Sequence, residues 1–497
     1  MTSTISTANG TLTNPNILIL ISDQTRAPQH WPADWVSKNL PTLQRLMNNG
    51  LTFTNAFAPA SECCPARASF ITSTYPEENG VTVTTSELPP NKYINLANVL
   101  ASANYPTAWK GKWHLWAPDG PWSAAAIQAL NENYQMQEWN PPDAGTQLGP
   151  DSNPTLGGGT ANNDGRFVNG ITAQGQTPGW GESAVDFLNN QPLGSPWCLV
   201  VSLVNPHDVF LYPNYLSGTG YPASALNNLG IQLPENMNDD LSTKPSAQAA
   251  FASSFETNNP LPTQQDQLNY VNFYAYLHTV VDALFGDVLA ALDKNGLTEN
   301  TLIIRMADHG EMGLSHGMRQ KVYNAYEETI RMPFIVSNPT LWPAAATTDA
   351  LASTIDLVPT LAAIVGSSNT TTLRGVNLLP VIEGSQPYVQ ESVIYTFDDM
   401  FPPYPPVGHI RTIRTAQWKY SVYFNEPPQS SGTNFEYEMY DLAADPLEMN
   451  NLLYGTPDAP ALAQWQILHP QLTMQLNELQ AMPQNGVQWP SAPWESQ

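Results

Sequence analysis

The apolar and polar positions of the chain fall into two regimes. Up to about residue 365, short continuous apolar runs alternate with stretches of helical period. The runs Ile17–Ile21, Leu199–Val204 and Leu302–Ala307 each stop just before a polar group, at Asp23, at Asn205-Pro206-His207-Asp208 and at Asp308-His309-Gly310. Runs of that length predict strands buried on both faces, the habit of a parallel sheet, whose carboxyl ends collect ligand-binding groups. Between them, Pro41–Asn49 (stopped by Gly50), Leu96–Ser102, Glu182–Asn189, Gln264–Asn295 and Thr354–Val365 read as helices, and Leu51–Phe57 alternates like a strand.

Beyond about residue 385 the pattern becomes strand-rich. Ser392–Phe397, Ile410–Thr415, Trp418–Phe424 and Glu436–Leu442 predict a small antiparallel sheet, and Ala461–Met482 a last helix entered through Pro460 and kinked or broken at Pro470. The predicted fold is α/β: a large mixed, mostly parallel sheet sandwiched by helices over 14–385, and a smaller α+β subdomain over 386–497. Two Pro/Gly/Asn-rich stretches, 118–180 with Gly157-Gly158-Gly159 and 210–262, are expected as insertions. The first is expected as a long loop at the mouth of a pocket.

Charge narrows the function classes. With 43 acidic against 18 basic residues the formal charge is -25, which argues against nonspecific nucleic-acid binding and against docking on an anionic membrane. Three cysteines, two of them adjacent, make no disulfide framework. The apolar runs are strand-sized, and residues 1–13 lack the basic start and apolar stretch of a signal peptide, so a soluble, cytoplasmic protein is the default expectation. Scarce lysine with abundant Asn, Thr and Pro would also suit export.

The densest chemistry lies at Cys63-Cys64-Pro65-Ala66-Arg67. Proline is pre-organised for a first helical turn, so Cys63 is expected at a helix N-terminus, where free N–H groups favour an anion, with Arg67 a turn later able to reach the nucleophile or an oxyanion. A cysteine before a proline is, on spacing alone, most often a packing residue. Cys63, Pro65 and Arg67, however, fill the fixed positions of Cys-x-Pro-x-Arg, and the stretch resembles the signature of the formylglycine-dependent (type I) sulfatases of the alkaline phosphatase superfamily. Ser73 stands where a glycine is usual, a departure expected at a helical position. By register Cys63 is the modified residue and Cys64 packs.

Further blocks follow in the family's order. Asp23 resembles the first aspartate of the first strand, with Gln24 in the place of the second, as in related phosphonate monoester hydrolases and choline sulfatases. Gly111-Lys112-Trp113-His114 resembles the Gly-Lys-Trp-His block, Pro206-His207 a strand-end histidine, Asp308-His309-Gly310 the metal-binding Asp-His-Gly, and Lys321 a substrate lysine. Tyr440-Asp441-Leu442, Asp445-Pro446, Glu448 and Asn451 resemble the C-terminal signature, where Glu448 and Asn451 are expected to act in turns.

The resemblance implies a hydrolase for small-molecule sulfate esters. A divalent cation, Ca²⁺ or as runner-up Mn²⁺, would be held by Asp23, Gln24, Cys63 as formylglycine, Asp308 and His309. One hydroxyl of the hydrated aldehyde would attack sulfur. Arg67, Lys112, His207 and Lys321 would neutralise the transferring group, and His114 would act as base for regeneration. A formylglycine-generating enzyme is the implied maturation partner. The alternative is a phosphonate monoester or phosphodiester hydrolase of the same superfamily. Trp31, Trp35, Trp109, Trp113 and Trp116, near motif residues, are compatible with an aromatic-walled mouth or with packing.

Overall fold

The computed structural model describes residues 3–27, 29–139, 143–145, 156–170, 182–191, 194–399, 407–425, 435–483, 487 and 489–490. A short hairpin, β1 (Thr4–Ser6) and β2 (Thr11–Thr13), precedes β3 (Asn16–Asp23), all eight of whose residues are buried. Its alternation serves two cores. Ile17, Ile19 and Ile21 pack with Ala68, Phe70 and Leu361 on one side, and Leu18 and Leu20 pack with Val281, Phe285 and Leu289 on the other. A strand with a core on each face has no polar side to show, which explains its continuous apolar run.

The remaining strands of the large sheet are β4 (Gly50–Phe57), β5 (Thr107–Gly111), β6 (Glu138–Trp139), β7 (Cys198–Pro206), β8 (Thr301–Ala307), β9 (Phe334–Ser337) and β10 (Ala346–Ser353). Their order is β10-β4-β9-β8-β3-β7-β5-β6, parallel throughout except for β9, which runs antiparallel between β4 and β8. The centre is therefore β8-β3-β7-β5, four parallel neighbours whose carboxyl ends lead into Asp308, Asp23, His207 and Lys112. Topology alone brings these four residues to one edge.

Helices cover both faces. The helix Cys63–Thr72 is buried along its whole length, with Cys64, Ala68, Phe70 and Ile71 in the core on one face of the sheet. It ends at Ser73 with φ 53°, the left-handed cap position that glycine fills without strain, so Ser73 is a cap and not the helical residue expected. Its hydroxyl donates to Ile355 O (2.8 Å) and accepts from Gly375 N (3.0 Å), bonds a glycine could not make. On the opposite face lies Gln264–Lys294, opened by a reciprocal Thr263/Asp266 capping box. It is long and apolar enough to cross a membrane by composition, yet most of that stretch is buried inside the fold, as in a core helix.

The first insertion differs from its expectation as a loop. Ser123 caps a helix over Ala124–Tyr134, and Asn163–Asn169 forms another; alanines and an N-cap decided the first against the surrounding Pro and Gly. Residues 146–155 and 171–181 lie outside the described residues. Gly157 N and Gly158 N donate to Asp208 Oδ2 (3.0 and 3.3 Å), just past β7; a Cβ on Gly158 would come within 2.6 Å of Tyr221 Oη, so the glycine run permits a close docking. The second insertion contains the helix Ser246–Asn258.

The C-terminal sheet is β11 (Ser392–Phe397), β12 (His409–Thr415), β13 (Trp418–Phe424) and β14 (Phe435–Asp441), antiparallel in sequence order, with the helix Ala459–Glu478 packed on it. That helix starts under an Asp458 cap and continues through Pro470 rather than breaking there. Charged contacts tie this sheet to the catalytic core. Arg411 pairs with Asp398 (2.8 Å) and with Glu77 (2.7 Å), and Glu448, expected in a turn, is buried and accepts from Glu327 N (2.8 Å). The tail of β11 runs beside the approach to Cys63: Thr396 N donates to Pro59 O (2.9 Å) and Ser61 Oγ meets Tyr395 Oη at 2.7 Å.

Candidate active site

Cys63 is the first residue of its helix, and its Sγ lies 3.5 Å from His309 Nε2 and 3.7 Å from Asp23 Oδ1. One ligand-type atom from each of Asp23, Cys63, Asp308 and His309 lies within 4.8 Å of all the others, and all four residues are buried. A single cation with ligands at about 2.3–2.6 Å spans such a set, and two carboxylates suit a hard ion. Gly310, after the pair, takes the main chain so close to Glu328 that a Cβ would sit 2.0 Å from Glu328 O, which is why a glycine follows Asp308-His309.

Gln24 lies beside this set with φ 66°. Its backbone N–H donates to Asp308 Oδ1 (3.0 Å), its side-chain amide donates to Glu311 Oε2 (2.5 Å), and its Oε1 accepts from Lys321 Nζ (2.5 Å). A carboxylate at one end and an ammonium at the other orient the amide, leaving its oxygen on the lysine side.

Arg67 does not do what was expected of it. Its bonds go inward: Nε to Asp308 Oδ2 (3.1 Å), Nη2 to the same oxygen (3.0 Å) and to Asp23 Oδ2 (3.3 Å), and Nη1 to Lys112 O and Ser202 Oγ (2.9 and 3.0 Å). It is fully buried, and these bonds tie it to the two aspartates and hold them in place. Lys112 Nζ lies 2.5 Å from Asp23 Oδ2. Burial works to raise the Asp23 carboxyl, but Lys112, His207, His309 and Arg67 outweigh it and hold it well below the usual range.

Burial, with Asp23 next, pushes the Cys63 thiol up, so the unmodified side chain is a protonated, weak nucleophile. Burial and then Lys112 press His114 and His207 well below the usual imidazole range, leaving both neutral. His114 is positioned by Asp143, whose carboxylate accepts from Trp113 N (2.9 Å) and His114 N (2.7 Å). Cys64 packs as expected, its Sγ against Thr84 O and His114 O.

Above Cys63 opens a cavity of about 420 Å³. Cys63, His114, His207 and Lys321 face it with Glu62 and Asp399, and its walls are Val83, Phe210, Phe251, Phe255 and Tyr323. None of the five tryptophans lines it: Trp35, Trp109 and Trp113 are buried in the cores, and Trp31 and Trp116 pack against them. The aromatic wall comes instead from the second insertion and the segment beside Lys321. All ten residues singled out from sequence converge here, although Arg67 stands behind the site. Sequence reasoning missed Asp143, Ser202, Glu311, Glu62 and Asp399. Glu62 and Glu311 adjoin recognised motifs and were findable; the others arrive from distant segments without a local pattern.

The profile of the sulfatase family matches residues 15–367, the stretch that builds the large sheet and every residue around Cys63 except Asp399. The chain belongs to the sulfatase family. The profile of the N-sulphoglucosamine sulphohydrolase C-terminal region matches residues 315–481 of this sulfatase. It is 26% identical to an N-acetylglucosamine-6-O-sulfatase of Bacteroides thetaiotaomicron, over 88% of this chain and 82% of the relative. Its fold is that of a 2-O GAG sulfatase (TM-score 0.71, 21% identity, 94% of each chain) and of a phosphonate monoester hydrolase from Silicibacter pomeroyi (TM-score 0.67, 21% identity, 94% of this chain and 96% of that one). The sulfatase is a sulfuric ester hydrolase, and its family implies a divalent metal and a formylglycine.

Proposed function

We propose that the enzyme hydrolyses small sulfate monoesters at Cys63, converted to formylglycine by a separate maturation enzyme. The observation that carries this reading is the placement of Cys63 at a helix N-terminus, within one ligand set with Asp23, Asp308 and His309, at the floor of the cavity. The protonated thiol supports a need for the modification.

Asp23, Asp308 and His309, with Cys63 once converted, would hold the cation; the amide oxygen of Gln24, expected as a ligand, is taken by Lys321. Two carboxylates to one imidazole nitrogen favour Ca²⁺, with Mn²⁺ second. When bound, the ion lowers the pKa of an attacking hydroxyl and polarises sulfate oxygens. The chain's own residues do the rest. Lys112 and Lys321 supply positive charge where the sulfuryl group sits, and the free N–H groups at the head of the Cys63 helix face the same region. His207, in the cavity wall and neutral before substrate arrives, gains basicity from the sulfate's charge, takes up a proton from water as the ester binds and passes that proton to the departing alcohol oxygen. His114, neutral and held by Asp143, accepts the proton that restores the aldehyde.

The second reading, a phosphonate monoester or phosphodiester hydrolase, draws on Gln24 in the place of an aspartate. One experiment decides: kcat/KM for matched aryl sulfate, aryl phosphonate and aryl phosphodiester on one metal-loaded, formylglycine-verified sample. The sulfate is expected to lead. A phosphonate or diester ahead by more than about tenfold, roughly 1.4 kcal/mol in transition-state energy, replaces the sulfatase reading.

A further inference from the structure

We infer that Glu62 and Asp399 form a carboxyl gate that selects the organic part of the substrate, admitting an aromatic or apolar alcohol that is neutral or cationic and rejecting one that carries a second negative charge. The inference rests on the sulfate-ester reading of the site and names its substrate class.

Glu62 directly precedes Cys63 and has φ 66° and ψ 153°, a backbone region essentially reserved for glycine that costs a non-glycine residue on the order of 1–3 kcal/mol. Its carboxylate is fixed by Thr84 N (3.1 Å), and Asp399 follows β11. Both line the cavity above the nucleophile. Two carboxyl groups on one wall make it an acidic surface.

The cations complete the argument. Every lysine and arginine of the chain lies among the described residues, so the inventory at the cavity is complete. Lys321 is the single one that lines it, and its ammonium is spent on Gln24 Oε1 at the floor. A sulfate finds its counter-charges at the floor, with Lys112 behind. A carboxylate or second sulfate on the organic part would meet the Glu62–Asp399 pair, phenyl walls and no further cation, so its desolvation goes uncompensated. A ring or apolar chain finds Phe210, Phe251 and Phe255, and a cation adds favourable charge and aromatic faces.

The test uses three phenyl sulfates with a para carboxamide, a para carboxylate or a para trimethylammonio group, on wild type, Glu62→Gln and Asp399→Asn. The quantity read is the kcat/KM ratio of charged to neutral substrate in each variant, divided by the same ratio in wild type. This double ratio cancels differences in leaving-group acidity. Neutralising either carboxyl is expected to raise the carboxylate double ratio about tenfold and to lower the trimethylammonio one. A change below threefold in both variants overturns the inference. Asp399→Asn, on a different element from the nucleophile, reads the effect alone if Glu62→Gln does not fold. If sulfates are not turned over while phosphonates are, the sulfatase reading fails, and the same double ratio on the matching phosphonate monoesters still decides the gate.

Discussion

Arg67 Nη2 lies 3.0 Å from Asp308 Oδ2, and the same guanidinium reaches Asp23 Oδ2 at 3.3 Å. The arginine of the nucleophile signature therefore clamps two carboxylates from adjacent strands, and its effect on chemistry passes through them. Arg67→Lys keeps the charge and loses the fork. It is expected to lower kcat/KM about 10–100-fold, with partial recovery as added metal is raised. An unchanged metal requirement alongside lost activity would instead place Arg67 on the substrate.

Cys63 in active enzyme is expected to be formylglycine by peptide mass spectrometry. Cys63→Ala should abolish turnover. Cys64→Ala, which empties a buried contact with Thr84 O and His114 O, should lower stability by about 1–2 kcal/mol and leave kcat largely intact. Active enzyme bearing only the intact thiol would refute the mechanism.

Metal identity is read by elemental analysis of protein purified without added metal, with stoichiometric calcium expected and stoichiometric zinc contradicting the oxygen-rich donor set. Chelation should lower Tm as well as activity, because Asp23 and Asp308 then face each other without the ion and rely on Arg67, Lys112 and their remaining partners for compensation.

Glu327 offers a pH prediction away from the chemistry. Burial alone would raise its carboxyl, but Arg414 (3.0 Å), Lys419 (3.5 Å) and Arg331 (3.6 Å) outweigh that and depress it to about 2. A carboxyl depressed in the folded state contributes stability that is fully present above its unfolded value near 4.5 and is lost as pH falls through about 2. Wild type should therefore exceed Glu327→Gln in unfolding free energy by a few kcal/mol at pH 6, and the gap should close steadily below pH 4.5. A gap constant with pH would show that packing, and not charge, is what the substitution removes.

Phe251→Ala is expected to raise KM for aryl sulfates several-fold with a smaller effect on kcat, since the ring lines the cavity and touches none of the reacting atoms. A loss confined to kcat would mean that the helix Ser246–Asn258 positions the catalytic groups.

The chain by itself determined much of this protein, because its informative features are local. The continuous apolar run Ile17–Ile21 has no stable place except between two cores, so β3 and its terminal Asp23 were legible. Cys63, Pro65 and Arg67 are a fixed-spacing motif, and Asp308-His309-Gly310 is a contiguous triplet whose glycine permits the close approach to Glu328. The direction of β9 was not legible, since so short an apolar stretch, Phe334-Ile335-Val336, reads alike in either orientation. Nor was the helix Ala124–Tyr134 inside a stretch whose composition suggests a loop. The role of Arg67 and the fate of the tryptophans were decided by which buried partners lay within reach after folding: two aspartates from strands paired side by side, and cores deep enough to absorb Trp109 and Trp113. The acidic rim was the most remote from sequence. Glu62 and Asp399 meet because β11 lies along the segment leading to Cys63, and a contact between residues so far apart in the chain leaves no periodicity or spacing to read.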